Sequence, residues 1–285
     1  MTDFSAVATE WLGRLTLDYA LDERGSTVLH HAHEGPLRVL QSLYPDGPAV
    51  CHNVLVHPPG GIVGGDRLEL DVTLAVQTQA LITTPGATRW YRSDGAHATQ
   101  RATLHLWEDA RLQWVPLESL AYSGCRARNL TTLDLAPGAE LLGWDIVSLG
   151  LPHANSPFQA GCFEQELHWP GVWLERGRID ASDRLLMTSR VGLGGLTCVG
   201  TMFWLCGTDP GAQRRDLALD VARAIFDASD VGRLAGVTSP QSQVVVVRVL
   251  ADQVEPVMNM FKQLRGAWLE QLWQQVATTP RIWTM

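Results

Sequence analysis

The sequence predicts a mainly β protein: a body of short strands, built as a sandwich or as a stacked, solenoid-like array, with two α-helices in the C-terminal third. Three observations lead there. Apolar and polar residues alternate with period two in one short segment after another between residues 11 and 179. Gly, Pro or Asp punctuates many of the gaps, as at Pro45-Asp46-Gly47-Pro48, Ala136-Pro137-Gly138 and Trp169-Pro170-Gly171. Beyond residue 198 the period changes, and two stretches carry apolar residues at helical spacing. No exact internal repeat selects between sandwich and solenoid.

Residues 11–20 alternate, with Leu15 and Leu17 on one face and Arg14, Thr16 and Asp18 on the other. Asp22 to Gly25 is a turn, and Ser26 to His33 reads as a second strand. Gly35-Pro36 breaks it, and Leu37 to Leu43 resumes. Val50 to Val56 is a short apolar strand. A Gly-rich turn then leads into Leu68–Val76, the clearest half-buried strand, with Leu68, Leu70, Val72, Leu74 and Val76 on one face. Further strands are expected at Ala80–Thr84, Thr99–Trp107, Leu112–Val115, Asn129–Leu135, Glu140–Leu149, Phe163–Trp169 and Val172–Ile179. Cys198–Cys206 and Gln243–Leu250 are apolar strands. Between them Asp209-Pro210-Gly211 starts a helix through Ala228, with Leu217, Val221, Ala224 and Ile225 at helical spacing. Val254–Gln275 is a second amphipathic helix carrying Val257, Phe261, Leu264, Trp268, Leu272 and Trp273. No low-complexity linker intervenes. The chain therefore reads as one domain over 1–285, with a β-rich body over about 11–208 and a strand–helix–strand–helix region over about 198–276.

Composition narrows the function. The 285 residues carry a net charge of −8, and an acidic balance argues against a broad nucleic-acid footprint. No apolar run reaches the roughly 18 residues of a membrane span. The N-terminus lacks a basic segment followed by an apolar one, so a cytoplasmic protein is expected. The five cysteines, Cys51, Cys125, Cys162, Cys198 and Cys206, show neither even spacing nor a C-x-x-C pair, which points to reduced, buried thiols. Lys262 is the only lysine, and eleven tryptophans are many for this length. Some of them are expected in the core and some as interface anchors.

Enzymatic motifs fail one by one. Gly60 and Gly65 have the spacing of a phosphate-binding loop, but Asp66-Arg67 stand where Lys and Ser or Thr are required, and a carboxylate there repels phosphate. Gly192-Leu-Gly194-Gly195 misplaces the third glycine of a dinucleotide fingerprint. There is no Gly-x-Ser-x-Gly elbow, and adjacency of Cys51 and His52 says nothing of catalytic geometry. His31 and His33 share a strand face, but an exposed polar strand end explains them as readily as an ion does. Scattered carboxylates and histidines remain, enough to line a polar passage but not to cage a metal.

The stretch HPPGGIVGGDRLELDV followed by TTPGATRWYRS, residues 57–72 and 83–93, resembles the urease accessory protein D family (UreD, also called UreH). GPLRVLQSLYPDG, LQWVPLESLAYSG, LLGWDIVSLGLP and VGTMFWLCG extend the resemblance along most of the chain. It implies a β-helix-like body with two helices and a non-enzymatic chaperone of nickel insertion into urease. It implies direct binding of UreF, recruitment of the GTPase UreG through UreF, docking on urease apoprotein, and a higher-order, dimeric accessory complex. No tightly bound cofactor is implied; nickel(II) is transient and passes through an internal tunnel. The missing phosphate loop matches a GTPase partner, and the missing metal cage matches a carrier that must release its ion.

Under that resemblance Asp66, Asp145, Glu175 and His57 are candidates for the tunnel lining, since sparse carboxylates give negative potential and exchangeable ligation. Each carboxylate also fits a turn cap or a salt bridge. Arg89, Trp90, Tyr91 and Arg92 are candidates for a partner-binding patch with Arg and aromatic anchors. Pro58, Pro59, Gly60, Gly61, Gly64 and Gly65 are read as the tight turn into the strand at Leu68. Two other readings stay open: a β-helical hydrolase using carboxylates such as Asp66 and Glu118, and a scaffold that never touches nickel.

Overall fold

The computed structural model describes residues 11–284. The N-terminal segment read for a leader pattern lies mostly outside these residues. The strands of the first half are β1 (Leu12–Leu21), β2 (Thr27–Glu34), β3 (Arg38–Val39), β4 (Val50–Val56), β5 (Arg67–Leu74), β6 (Gln79–Thr83), β7 (Thr88–Trp90), β8 (Ala98–Leu106), β9 (Arg111–Trp114) and β10 (Ser119–Ala121). Then follow β11 (Cys125–Leu135), β12 (Glu140–Leu151), β13 (Ser156–Pro157), β14 (Gly161–Trp169), β15 (Trp173–Asp180) and a short helix α1 (Arg184–Thr188). The C-terminal third holds β16 (Cys198–Cys206), α2 (Ala212–Asp227), β17 (Ala235–Gln241), β18 (Val244–Ala251) and α3 (Val254–Trp273).

Two sheets face each other. Sheet one has the order β15-β14-β11-β8-β5-β1-β2, and sheet two runs β17-β18-β16-β12-β9-β6-β4-β3. The middle strands β1, β5, β8, β11 and β14 are parallel, as are β4, β6, β9 and β12. The chain coils between the sheets, one rung per turn, so the sandwich-or-solenoid alternative resolves to a solenoid-like stack. Antiparallel partners, β2 and β15 on sheet one and β3 and β16 on sheet two, flank the parallel runs.

The stack contains a repeat that the side chains hide. Leu74, Leu106 and Leu135 end three rungs in one row. Three residues later Gln77, Asp109 and Gly138 all take positive φ, 61°, 58° and 77°. The next residue closes each corner with the same bond: Thr78, Ala110 and Ala139 donate N–H to the carbonyls of Ala75, Trp107 and Ala136. Corners also bond to one another, Arg111 N to Thr78 O and Glu140 N to Ala110 O, each at 2.9 Å. Backbone groups at a corner cannot join a sheet ladder, so rung-to-rung pairing satisfies them. A short third side closes the other end of each rung. There the buried residues Ile62, Trp90, Ala121 and Leu149 stack through β7, β10 and the end of β12. These three-residue strands have no alternation to read, and sequence reasoning does not find them.

Alternation sorts the side chains into two cores. Leu15, Leu17, Val72, Leu104, Leu133 and Leu141 fill the space between the sheets. Leu142, Trp144, Met202, Trp204 and Val247 point the other way, against α3 through Val257, Phe261, Leu264 and Trp268. The expected strand at Leu37–Leu43 shortens to β3, because the chain then follows β4 only through Leu40 N to Val54 O and a bridge from Leu43 to His52. β17 adds a strand to the expected C-terminal order. On α2 the buried positions are Ala218 and Ala222, while Leu217 is exposed. Small residues suit that face because α3 lies close: the Trp268 indole donates to Ala218 O at 3.0 Å.

One carboxylate ties the helices to sheet two. Glu140, buried at the start of β12, accepts the indole N–H of Trp204 (2.9 Å) and of Trp273 (2.8 Å) and the Arg214 guanidinium (3.1 Å). Arg214 also donates to Leu272 O at 2.9 Å, so β12, β16, α2 and α3 meet at one charge. Removing a buried acceptor strands every donor aimed at it. Glu140→Ala is expected to destabilise the protein by about 3–5 kcal/mol, read as a lowered urea midpoint. A change within about 0.5 kcal/mol would mean that the helices are held by apolar packing alone.

Candidate functional site

Most of the space between the sheets is apolar, with a buried Tyr19–Asn53 pair near one end and a longer polar line elsewhere. In sheet one Gln100, Asn129 and Gln165 occupy a single row across β8, β11 and β14. In sheet two Asp145, Thr201 and Arg248 form a row across β12, β16 and β18. The rows meet. Gln100 Nε2 donates to Asn129 Oδ1 at 3.3 Å, and Asn129 Nδ2 donates across the gap to Asp145 Oδ2 at 2.7 Å. Gln165 hydrogen-bonds the same carboxyl. Beyond it Glu175 of β15 takes a paired contact from Arg248 of β18, with Nε to Oε1 at 2.9 Å and a second, shorter contact between Nη2 and Oε2.

Asp145 is the electrostatic centre of this line. Its carboxyl lies between the sheets, and loss of hydration there pushes its pKa up to about 7. The amides of Asn129 and Gln165 act against that shift, while the charge of Glu175 adds to it. An amide-flanked carboxylate that titrates near neutrality can take up and release a cation or a proton with little driving force either way.

At its inner end the line opens into a cavity of about 310 Å³, lined by Gln100, His57, Gly60, Gly61, Thr88, Arg89 and apolar residues that include Leu68, Ile82 and Trp114. His57 is half-buried and its Nε2 has no hydrogen-bond partner. Burial pulls its pKa down, with Asp66 acting in the opposite direction, so a neutral ring with a free nitrogen is favoured. The turn around it is held by its glycines. Gly60 and Gly65 adopt φ of 76° and 97°, and a Cβ on Gly61 would come within 2.1 Å of the Tyr91 ring. Pro58 and Pro59 are exposed at its tip, and Gly64 packs on Ser93.

The structure distributes the sequence-derived candidates unevenly. Asp145 and Glu175 stand on the interior line, and His57 lines the cavity at its end. Asp66 is buried, but its Oδ2 accepts from Val63 N at 2.9 Å and caps the turn. Glu175 is salt-bridged. Of the proposed patch, Trp90 must be withdrawn: it is fully buried against Phe163, in the third-side stack, and cannot anchor a partner. Tyr91 is half-buried with its ring 5.0 Å from that of Tyr122, while Arg89 and Arg92 are exposed. His31 and His33 lie on the exposed edge strand β2 with ring centroids 6.5 Å apart. Sequence reasoning missed Gln100, Asn129 and Gln165. Their signal was a polar residue in the apolar phase of three alternating strands, as in Ala98-x-Gln100-x-Ala102-x-Leu104.

Among the described residues no helix is long and apolar enough to cross a membrane. A family model described as UreD urease accessory protein matches residues 12–284. Proteins named urease accessory protein UreD are similar along nearly the whole chain. That of Polaromonas sp. is 55% identical over 275 residues, covering 96% of this chain and 99% of its own. That of Variovorax paradoxus is 52% identical over 273 residues and that of Paracidovorax citrulli 54% over 275, with the same coverage.

Asp145 gives a signed pH dependence. A carboxyl whose folded pKa is raised binds its proton more tightly folded than unfolded. Its stabilising contribution is complete below the ordinary value of 3.8 and is lost as pH rises through about 7. Between about pH 5 and 8 the natural protein should therefore lose roughly 2 kcal/mol more stability than Asp145→Asn, measured by urea unfolding at each pH. Parallel profiles for the two proteins would show that Asp145 titrates normally.

Proposed function

The chain belongs to the UreD urease accessory protein family, and from that premise we propose that it is a non-catalytic, cytoplasmic chaperone that passes nickel(II) along its interior polar line to urease apoprotein. The observation that carries this reading is the hydrogen-bonded row Gln100–Asn129–Asp145, which leads from the His57 cavity into the space between the sheets. Asn129 is buried while Gln100 and Asp145 are half-buried, and polar groups withdrawn from water cost stability unless they are paired.

The donor chemistry fits a carrier. Nickel(II) prefers nitrogen and sulfur donors, so a line of carboxylate and amide oxygens ligates it weakly and lets it move on. Asp145 supplies charge when deprotonated and loses it when protonated, so pH near neutrality sets its hold on the ion. Energy is not supplied by this chain, whose sequence has no phosphate loop; in this reading UreG supplies it, recruited through UreF, within a dimeric accessory complex. Arg89 and Arg92, exposed beside the cavity turn, provide the charged part of the surface toward UreF. The scaffold reading draws support from the Glu175–Arg248 pair, which neutralises the carboxylate at the outer end of the line.

Asp145→Ala should leave binding of UreF and urease intact and lower the nickel content of urease matured with it several-fold, measured by metal analysis of the purified enzyme. Full nickel loading with that variant would remove the interior line from the route. Arg92→Glu should reduce capture of UreF in a pull-down from defined components. Undiminished capture would place the UreF surface elsewhere.

A further inference from the structure

The outer face of sheet one carries a second group of metal-ligating side chains, separate from the interior line. Each of His97, Cys162 and Glu164 offers one donor atom, and all three atoms lie within 4.8 Å of one another. His97 precedes β8, and its carbonyl accepts Gly65 N at 3.1 Å, which fixes it to the rung before. Cys162 and Glu164 are two apart on β14 and so share a face. That face is outward, since the intervening Phe163 points into the core between the sheets.

We propose that His97, Cys162 and Glu164 form an outer-face site for a divalent ion of borderline softness, zinc(II) or nickel(II). The donors are one imidazole nitrogen, one sulfur and one carboxylate oxygen, a set that suits such ions and not magnesium or calcium. Tetrahedral bonds of about 2.0–2.3 Å require the donors to close by an ångström or so, within the reach of side-chain rotation. Cys162 also lines an open cleft with Gly124, Arg126, Gln159, Arg178 and Asp180.

The surroundings are arranged as an outer shell. Arg128 Nε holds Glu164 Oε2 at 2.8 Å, and Arg178 lies 3.5 Å from Oε1. Each carboxylate oxygen has a second lone pair, so these contacts orient Glu164 and leave it able to ligate. Burial lowers the pKa of His97, helped by Arg128, which keeps its ring neutral and available. Burial raises that of the Cys162 thiol, while Arg178 pulls it down. Binding forms the sulfur–metal bond and releases the thiol proton to solvent.

Cobalt(II) titration of the reduced, full-length protein tests this. One equivalent should bind with a thiolate-to-cobalt charge-transfer band, and zinc(II) should abolish the band by displacement. Cys162→Ser should remove the band, and His97→Ala should weaken binding at least about tenfold. Asp145→Asn should leave the thiolate-to-cobalt band unchanged, which separates this site from the interior route. Absence of a thiolate band in the natural protein, or its survival in Cys162→Ser, would overturn the proposal. Should Cys162→Ser fail to fold, an unweakened titration in His97→Ala would overturn it equally.

Discussion

The structure depends on keeping successive rungs in register. Parallel strands have no hairpin to fix their pairing, so something else must stop one rung sliding on the next. Here the corners do it. Gln77, Asp109 and Gly138 share one backbone conformation, and each corner donates to the one beside it. A slip by one residue would break both the corner bonds and the row of Leu74, Leu106 and Leu135. It would also turn every core side chain outward. The cost of positive φ at Gln77 and Asp109, without glycine, is offset by these shared bonds.

Register is also what builds the interior line. Gln100, Asn129 and Gln165 are far apart in sequence, yet the pairing that aligns the leucines puts the three amides in one row. An isolated amide in an apolar layer is costly; three amides facing a carboxyl satisfy one another. The line is therefore as rigid as the stack that carries it. Asp145 sits on the strand whose first residue is Glu140, the carboxylate that fastens α2 and α3. The start of β12 is thus committed to holding the helices and its middle to the interior.

Much of this fold was legible. Cys198–Cys206 reads as β16 to the residue because both of its faces are buried, one by each core. Val254 begins α3 as the spacing predicts. The corner at Gly138 was legible in Ala136-Pro137-Gly138, but its likeness to those at Gln77 and Asp109 was not, because Gln, Asp and Gly carry similar φ with unlike side chains. β7 and β10 were not, because three residues are too few for a period. Trp90 misled for a different reason. An aromatic beside arginines has the composition of an interface anchor, and only the third-side stack reveals that the ring is consumed by the core. Asp145 could be singled out by chemistry, but its partners come from strands that only the register brings near.

The two polar clusters differ in a way that follows from their donors. The interior line offers oxygen, in amides, in the Asp145 carboxyl, whose charge is half lost near neutral pH, and in Glu175, which Arg248 pairs. Such a line can pass a cation but cannot retain it against competition from imidazole or thiolate. The outer-face group offers nitrogen and sulfur beside oxygen, with arginines holding its carboxylate in place. That set retains an ion and exchanges it slowly. In the reading proposed above, gathering and forwarding a borderline metal need the two properties in different places, since no single donor set provides both. Sheet one separates them physically: alternation along β14 sends Gln165 to the line and Cys162 and Glu164 to the opposite face.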